Sequence, residues 1–132
     1  MFQEGSRAQE EGLCHSPYYE WNKAHKNKAL YLNRTLYSPD ILFSDGWRNC
    51  FCDVITCAAP NKSAAQKYRR VSDVENLEAL KSRIRFVLSI AKHQDVDTFI
   101  LGAFGCGVFG QQAQEVAGMC MARNIGCCPA MR

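Results

Sequence analysis

The sequence has no long apolar run, no regular spacing of metal ligands and no block of basic residues of the kind that grips a nucleic-acid backbone, and each absence excludes a class of protein. A membrane-spanning helix needs about 18 or more consecutive apolar residues, and none occur. No secretory leader with an apolar core opens the chain, so we expect a cytoplasmic protein whose eight cysteines are reduced. Because Lys and Arg are dispersed and the net charge is only +3, we expect no binding to nucleic acid or membranes.

Cysteine and histidine are present, but without the spacing of a zinc site. There is no C-x-x-C pair and no paired histidine spacing, and neither Cys14 beside His15 nor the vicinal Cys127 and Cys128 reproduces a zinc pattern. The cysteines are therefore interpreted as small, mostly buried apolar side chains. We expect neither a metal nor a cofactor.

The composition, with 47% hydrophobic and 22% charged residues, is that of one globular domain over residues 1–132. Its clearest element is a helix over Val74–Ala91, which Ser72 or Asp73 can cap. Charged residues such as Arg83 are expected on other faces of this helix. The apolar positions at helical spacing are Val74, Leu77, Leu80, Ile84, Val87, Leu88 and Ala91.

Three apolar stretches are typical of strands. Thr35–Gly46 contains two strand-like pieces separated by Ser-Pro-Asp, and Cys50–Pro60 is interpreted as a strand buried on both faces. Thr98–Phe104, after the long helix, is interpreted as another buried strand. Strand, helix and strand form a βαβ crossover, which predicts an α/β fold with a partly parallel sheet.

Two flanking segments are expected to be helical or irregular. The stretch "SPYYEWNKAHKN", which begins at Ser16, is interpreted as a turn into a short helix or loop with exposed aromatic side chains. Gln111–Arg123 is predicted to form the last helix, and the final residues show no pattern.

A glycine-rich loop follows the apolar stretch at Thr98. Gly105, Gly107 and Gly110 form G-x-G-x-x-G, but a dinucleotide fold needs an acidic residue about 20 positions later, and no Asp or Glu follows Glu115. Residues without a Cβ let backbone N–H groups approach an anion closely, so the loop is suited to a diphosphate.

Two side chains in the loop leave alternatives open. Phe109 either covers a sugar or base or serves as a hydrophobic plug. Cys106 lies between glycines, where a thiol can be a nucleophile, but no histidine partner is evident in the sequence.

Four segments together carry a family resemblance: "GSRAQEEGLC", "LYSPD", "VITCAAPN" and "RIRFVLSIAKHQDVDTFILGAFGCGVFG". In this order they resemble the bacterial-type poly(ADP-ribose) glycohydrolase catalytic domain, a branch of the macrodomain superfamily. The resemblance implies a three-layer α/β/α fold with a mixed central sheet. Because Met1 lies close to the Gln-Glu-Glu triplet, we expect the family's N-terminal strands to be missing.

The resemblance also implies which residues act. Glu11, the second glutamate of the triplet, corresponds to the catalytic acid/base, and Glu10 helps to hold the ribose hydroxyls at the catalytic centre. Asn61 is expected at the site from its place at the mouth of the preceding strand. The implied substrate-binding residues are Gln9, Asn61, Gly105, Cys106, Gly107, Val108, Phe109 and Gly110.

The expected function is cleavage of ribose–ribose O-glycosidic bonds in poly(ADP-ribose), with release of ADP-ribose. One alternative is a binding module for ADP-ribose without turnover, and another is a partial chain with only structural meaning. ADP-ribose, its polymer and ADP-ribosylated proteins are the expected partners.

Overall fold

The computed structural model describes residues 16–121, which form four α-helices, a short 3-10 helix and a two-stranded sheet. In chain order the elements are α1 Pro17–Ala24, the 3-10 helix Asn27–Ala29, β1 Thr35–Ser44, β2 Asn49–Cys57, α2 Lys62–Arg69, α3 Asp73–His93 and α4 Ala113–Met121. The predicted α/β class is confirmed. Within the described range no helix is both long and apolar enough to cross a membrane.

The two strands form an antiparallel hairpin in which Thr35 lies opposite Cys57. The register shifts between Ser38 and Ile41, where the sequence predicted an interruption at Ser-Pro-Asp. Asp40 at this irregularity has a φ of +53°, a backbone conformation that aspartate tolerates better than most residues. The two strand-like pieces are therefore one strand with a bulge.

The expectation that β2 is buried on both faces was wrong. The strand itself is present, but its residues up to Asp53 are exposed, and Phe51 retains 68% of its accessible surface. Only the second half, from Val54 to Cys57, is half-buried. A run of small and β-branched residues predicts extended backbone, but it does not show what covers the strand.

The long helix α3 confirms the main prediction and forms the core with α4. Ser72 caps it by accepting a hydrogen bond from the Glu75 N–H at 3.1 Å. Val74, however, was expected on the buried face and is 72% exposed, because it lies in the first turn ahead of the packed region. The core cluster consists of Leu80, Ile84, Leu88, Val116 and Cys120.

The segment 98–104 is not a strand, and the βαβ crossover predicted from it is not formed among residues 16–121. Phe99, Leu101 and Phe104 pack against the core cluster, whereas Ile100 is 87% exposed. The side chains of residues 99–101 therefore alternate as in a strand, but the backbone has no ladder partner within the described range. Alternation alone does not make a strand without a neighbouring edge to pair with.

The aromatic residues of α1 are less exposed than predicted. Ser16 caps this helix, and Tyr18 retains only 4% of its accessible surface. The Tyr18 hydroxyl donates to the Arg34 carbonyl at 3.3 Å and accepts from the Ala58 N–H at 2.8 Å. Burial raises the pKa of this phenol. The Tyr18 hydroxyl thus connects α1 to the residues just before β1 and just after β2.

Candidate functional site

The glycine loop Gly105–Gly110 depends on glycine at two of its positions. Gly105 has a φ of +77° and Gly110 a φ of +73°, where side chains with a Cβ are strained. A Cβ on Gly105 would also lie 2.9 Å from the Gln111 side chain and 3.0 Å from the Ala59 Cβ. By contrast, a Cβ on Gly107 would meet nothing within 4 Å. The loop is therefore tightly packed at its ends and open at its middle.

Internal hydrogen bonds fold the loop and leave its tip unpaired. The Gly110 N–H donates to the Gly107 carbonyl at 3.0 Å, and the Gln111 N–H donates to the Gly105 carbonyl at 3.0 Å. Within the described part of the chain, the N–H groups of Gly107, Val108 and Phe109 have no hydrogen-bond acceptor. Gly107 and Val108 are exposed. Three successive donors at an open tip are available to an external anion.

A buried amide pair fixes the end of the loop to α3. The Gln111 and Asn76 side chains exchange two hydrogen bonds, at 3.0 and 2.9 Å, and Gln111 also donates to the Pro60 carbonyl at 2.9 Å. Asn76 is 1% and Gln111 is 4% exposed. Buried amides with these partners are satisfied and hold one geometry. The loop is thus joined to α3 and to the segment that precedes α2.

Asn61 caps α2, beside the glycine loop. Its side-chain oxygen accepts from the Ala64 N–H at 3.0 Å. Two residues further on, the Ser63 N–H donates to the Phe109 carbonyl at 3.1 Å. The structure therefore brings the predicted Asn61 and the predicted loop to the same end of one helix, and this arrangement uses the Asn61 oxygen for capping.

Phe109 and Cys106 differ in their surroundings. The Phe109 ring is half-buried and lies 6.5 Å, centroid to centroid, from the ring of Tyr31. Cys106 is half-buried against the core cluster, and its thiol lies 3.8 Å from the Phe104 carbonyl. No histidine of residues 16–121 is hydrogen-bonded to this thiol. The packing of Cys106 favours a structural role over that of a nucleophile.

Gln9, Glu10 and Glu11 lie outside the described residues. Of the predicted site residues, the structure brings together Asn61 and the glycine loop. The assignment of Glu11 as the acid/base stays a prediction.

Arg83 is a buried residue near the site that sequence reasoning placed on the wrong face. It is 1% exposed, and its guanidinium donates to Asn33 at 2.8 Å, to the Leu30 carbonyl at 3.3 Å and to the Ala58 carbonyl. Burial lowers its pKa, and the nearby Cys57 thiol opposes that change. The signal in the sequence was its position between Leu80 and Val87 on the apolar face of α3.

Tyr31, Asn76 and Gln111 were also missed. Tyr31 has a φ of +59°, and the two amides lie 35 positions apart. Asn76 lies at helical spacing from Leu80, four residues before it, so a polar residue on an apolar face was the available signal.

Solved structures similar to this chain come from bacteria. The chain is 31% identical to poly(ADP-ribose) glycohydrolase from Deinococcus radiodurans in complex with ADP-ribose, with a TM-score of 0.73 over 92% of this chain and 55% of that one. The apo form of the Deinococcus enzyme is 30% identical, with a TM-score of 0.73 over 86% of this chain and 54% of that one. The enzyme from Thermomonospora curvata bound to the inhibitor ADP-HPD is 29% identical, with a TM-score of 0.68 over 77% of this chain and 40% of that one.

This chain is similar to bacterial poly(ADP-ribose) glycohydrolases in sequence and fold. The resemblance found in the sequence is thereby confirmed. The chain spans about half the length of these solved structures, between 40% and 55% for the three described above. No protein-family model and no curated protein matches it.

Proposed function

We propose that this chain is a glycohydrolase that cleaves ribose–ribose O-glycosidic bonds of poly(ADP-ribose) and releases ADP-ribose. The observation that carries the proposal is the loop Gly105–Gly110, whose unpaired N–H groups and rigid attachment suit a diphosphate. It occurs in a chain similar to glycohydrolases that were crystallised with ADP-ribose.

The diphosphate of ADP-ribose binds at the tip of the loop. The N–H groups of Gly107, Val108 and Phe109 donate to phosphate oxygens, and such charge-assisted hydrogen bonds are stronger than those to water. Val108 is 89% exposed, so its N–H is reached without displacement of other residues. Because the loop is already folded, little conformational entropy is lost when the ligand binds.

The ribose and base lie on either side of the diphosphate. Phe109 packs on the ligand with one face, while Tyr31 supports its ring from within the chain. The Asn61 oxygen caps α2, so its amide NH₂ is the group that remains to contact a ribose hydroxyl.

Glu11 performs the chemistry. Cleavage passes through an oxocarbenium-like transition state, in which the bond between the anomeric carbon and the leaving ribose oxygen breaks. The protonated Glu11 carboxyl donates its proton to that oxygen, and the resulting carboxylate accepts a proton from the water that attacks the anomeric carbon. One residue therefore serves both steps and returns to its starting state.

Glu10 holds the ribose hydroxyls. Two adjacent carboxylates rarely face one bond, so we assign Glu10 to position the sugar. Its negative charge and that of the bound diphosphate disfavour ionisation of Glu11, which favours the acid form that the first step requires.

The second candidate function is recognition of ADP-ribose without turnover, for example on ADP-ribosylated proteins. The observation that favours it is that the binding loop is complete within residues 16–121 and does not depend on the Gln-Glu-Glu triplet for its fold. In that case Glu11 is not oriented towards the glycosidic bond, and binding continues without product.

Calorimetric titration with ADP-ribose tests the loop. Gly107→Glu should abolish saturable binding, because the new side chain enters open space at the tip and its charge repels the diphosphate. Gly118→Glu is the matched control, since Gly118 lies on α4 and a Cβ there also meets nothing within 4 Å. Wild-type and Gly118→Glu chains should bind alike. Equal binding by the Gly107→Glu chain would contradict the assignment.

Hydrolysis of poly(ADP-ribose), followed as released ADP-ribose, separates the two candidate functions. Glu11→Gln should lower the rate by roughly 10²–10⁴-fold, the usual contribution of a general acid–base group, while ADP-ribose affinity is retained. No product from a wild-type chain that binds ADP-ribose would instead identify a binding module.

A further inference from the structure

The C-terminal end of α2 carries a basic surface that the proposed site does not use. We define the α2 basic surface as Lys67, Tyr68, Arg69 and Arg70, all of which are exposed. Within residues 16–121 none of its three cations forms a salt bridge, whereas Lys23, Lys28, Lys62 and Lys81 each do. Three uncompensated positive charges in four successive residues attract a polyanion.

An aromatic ring lies among these charges. Tyr68 retains 69% of its accessible surface, and the Lys67 ammonium lies 5.2 Å from the centroid of its ring. Surfaces of cations and exposed aromatic rings bind polymers that combine phosphates with bases, because the cations pair with phosphates and the ring stacks on a base.

The helix dipole does not account for the whole surface. It favours Lys67 and Arg69 in the last turn of α2, but Arg70 follows the helix in the left-handed conformation, with a φ of 53° and a ψ of 34°. Glycine is the residue that usually ends a helix in this way, and arginine is strained there. The helix dipole therefore accounts for Lys67 and Arg69 but not for the arginine at position 70.

The position of the surface relates it to the glycine loop. At the other end of α2, the Ser63 N–H donates to the Phe109 carbonyl, so the same helix contacts the loop directly. Eight residues of helix measure about 12 Å. A ligand that occupies the loop and continues along α2 therefore reaches the basic surface within a short span.

We propose that the α2 basic surface binds the next repeat of an ADP-ribose polymer whose terminal unit occupies the glycine loop. Lys67, Arg69 and Arg70 pair with the diphosphate of that repeat, and Tyr68 stacks on its adenine. This inference rests on the proposed function and adds to it a second binding surface, for the repeat that adjoins the terminal unit.

The test compares a fluorescent poly(ADP-ribose) of defined length, monomeric ADP-ribose and a single-stranded oligoadenylate with the same number of phosphates. Affinities are measured for the full chain by anisotropy or calorimetry as a function of salt. Wild type should bind the polymer at least tenfold more tightly than the monomer and the oligoadenylate. Arg69→Gln should weaken polymer binding roughly tenfold, as loss of a charge-assisted contact does, and lower the salt slope by about 1.

Two variants separate this effect from folding and from general charge. Arg70→Gly should raise the thermal midpoint because glycine relieves the left-handed strain, and at the same time it should weaken polymer binding. Arg85→Gln removes an exposed cation from α3 and should leave polymer binding unchanged. Monomer binding should be the same in all three variants.

The possible failures point to different conclusions. Monomer binding with no polymer preference, or with a preference that survives Arg69→Gln and Arg70→Gly, overturns the inference and leaves the proposed function intact. Equal affinity for oligoadenylate identifies a general nucleic-acid surface and also overturns it. No binding of monomer by the wild type overturns the proposed function and the inference together.

Discussion

At the scale of single residues, the candidate site is held by polar groups that are buried and fully paired. Gln111 uses its amide for Asn76 and Pro60 and its backbone N–H for Gly105. One residue thus connects α3, the approach to α2 and the glycine loop. This connection fixes the loop before any ligand is bound.

The pair of amides leads to a prediction about stability. Asn76→Leu leaves the buried Gln111 side chain without two of its three hydrogen bonds, and such a change costs about 1–3 kcal/mol. Gln111→Leu should cost a similar amount, because it leaves Asn76 and the Pro60 carbonyl unpaired. The double variant should be destabilised by less than the sum of the two single effects, because it leaves neither an unpaired Asn76 amide nor an unpaired Gln111 amide. Urea unfolding of the four chains measures the coupling, and strict additivity would contradict it.

The glycine loop was predictable from the sequence, whereas the pairing of the two buried amides was not. A G-x-G-x-x-G pattern after an apolar stretch indicates a loop whose N–H groups can approach an anion closely. The pairing of Asn76 with Gln111 joins residues 35 positions apart and depends on how α3 packs. A single sequence carries no local signal for such a contact.

At the scale of elements, α2 connects the two surfaces on which the proposals rest. Its N-cap residue Asn61 lies beside the glycine loop, and its C-cap residue Arg70 belongs to the α2 basic surface. Its short length makes the cap important, because eight residues form few internal hydrogen bonds and the first N–H groups need an external acceptor.

Substitution of Asn61 separates capping from ligand binding. Asn61→Ala removes the cap and should destabilise the chain by about 0.5–2 kcal/mol. Asn61→Asp keeps an oxygen for the Ala64 N–H, so stability should be retained, but its negative charge lies near the diphosphate and should weaken ADP-ribose binding. Thermal unfolding and calorimetry on both variants give the two readouts. Unchanged affinity in the aspartate variant would remove Asn61 from the binding site.

Prediction of the elements succeeded for α3 and for the two hairpin strands and failed for residues 98–104. The helix α3 follows from apolar periodicity and a serine cap, and both are visible in its own residues. The stretch at residues 98–104 has strand-like alternation, yet within the described range no neighbouring strand pairs with it. A strand is a property of two segments, so its sequence alone predicts it less well.

At the scale of the whole molecule, ionisable groups that are buried or half-buried join the early part of the chain to α3. Tyr18, Cys57 and Arg83 lie close together, and the Arg83 guanidinium is bonded to neutral acceptors, namely two carbonyls and the Asn33 amide oxygen. Burial raises the pKa of the Cys57 thiol and that of the Tyr18 phenol, although the positive charge of Arg83 opposes both changes. Burial thus keeps the thiol and the phenol neutral in the folded chain.

This arrangement predicts that the folded state loses stability at alkaline pH. The usual pKa values are 9.0 for the thiol and 10.0 for the phenol, and both are higher in the folded chain. The unfolded chain therefore releases these protons first as the pH rises, which favours unfolding by up to about 1.4 kcal/mol per pH unit for each group. Stability should be fully present below about pH 8 and decline from there towards the folded pKa values.

The measurement is the free energy of unfolding in urea, taken with reductant at intervals between about pH 7 and pH 10.5. Cys57→Ser retains a donor for the Arg34 carbonyl but does not titrate in this range, so its decline should begin later and be shallower than that of wild type. If the two chains lost stability in parallel across the whole range, ionisation of the half-buried Cys57 thiol would not be coupled to folding, and the decline would have to come from groups elsewhere in the chain.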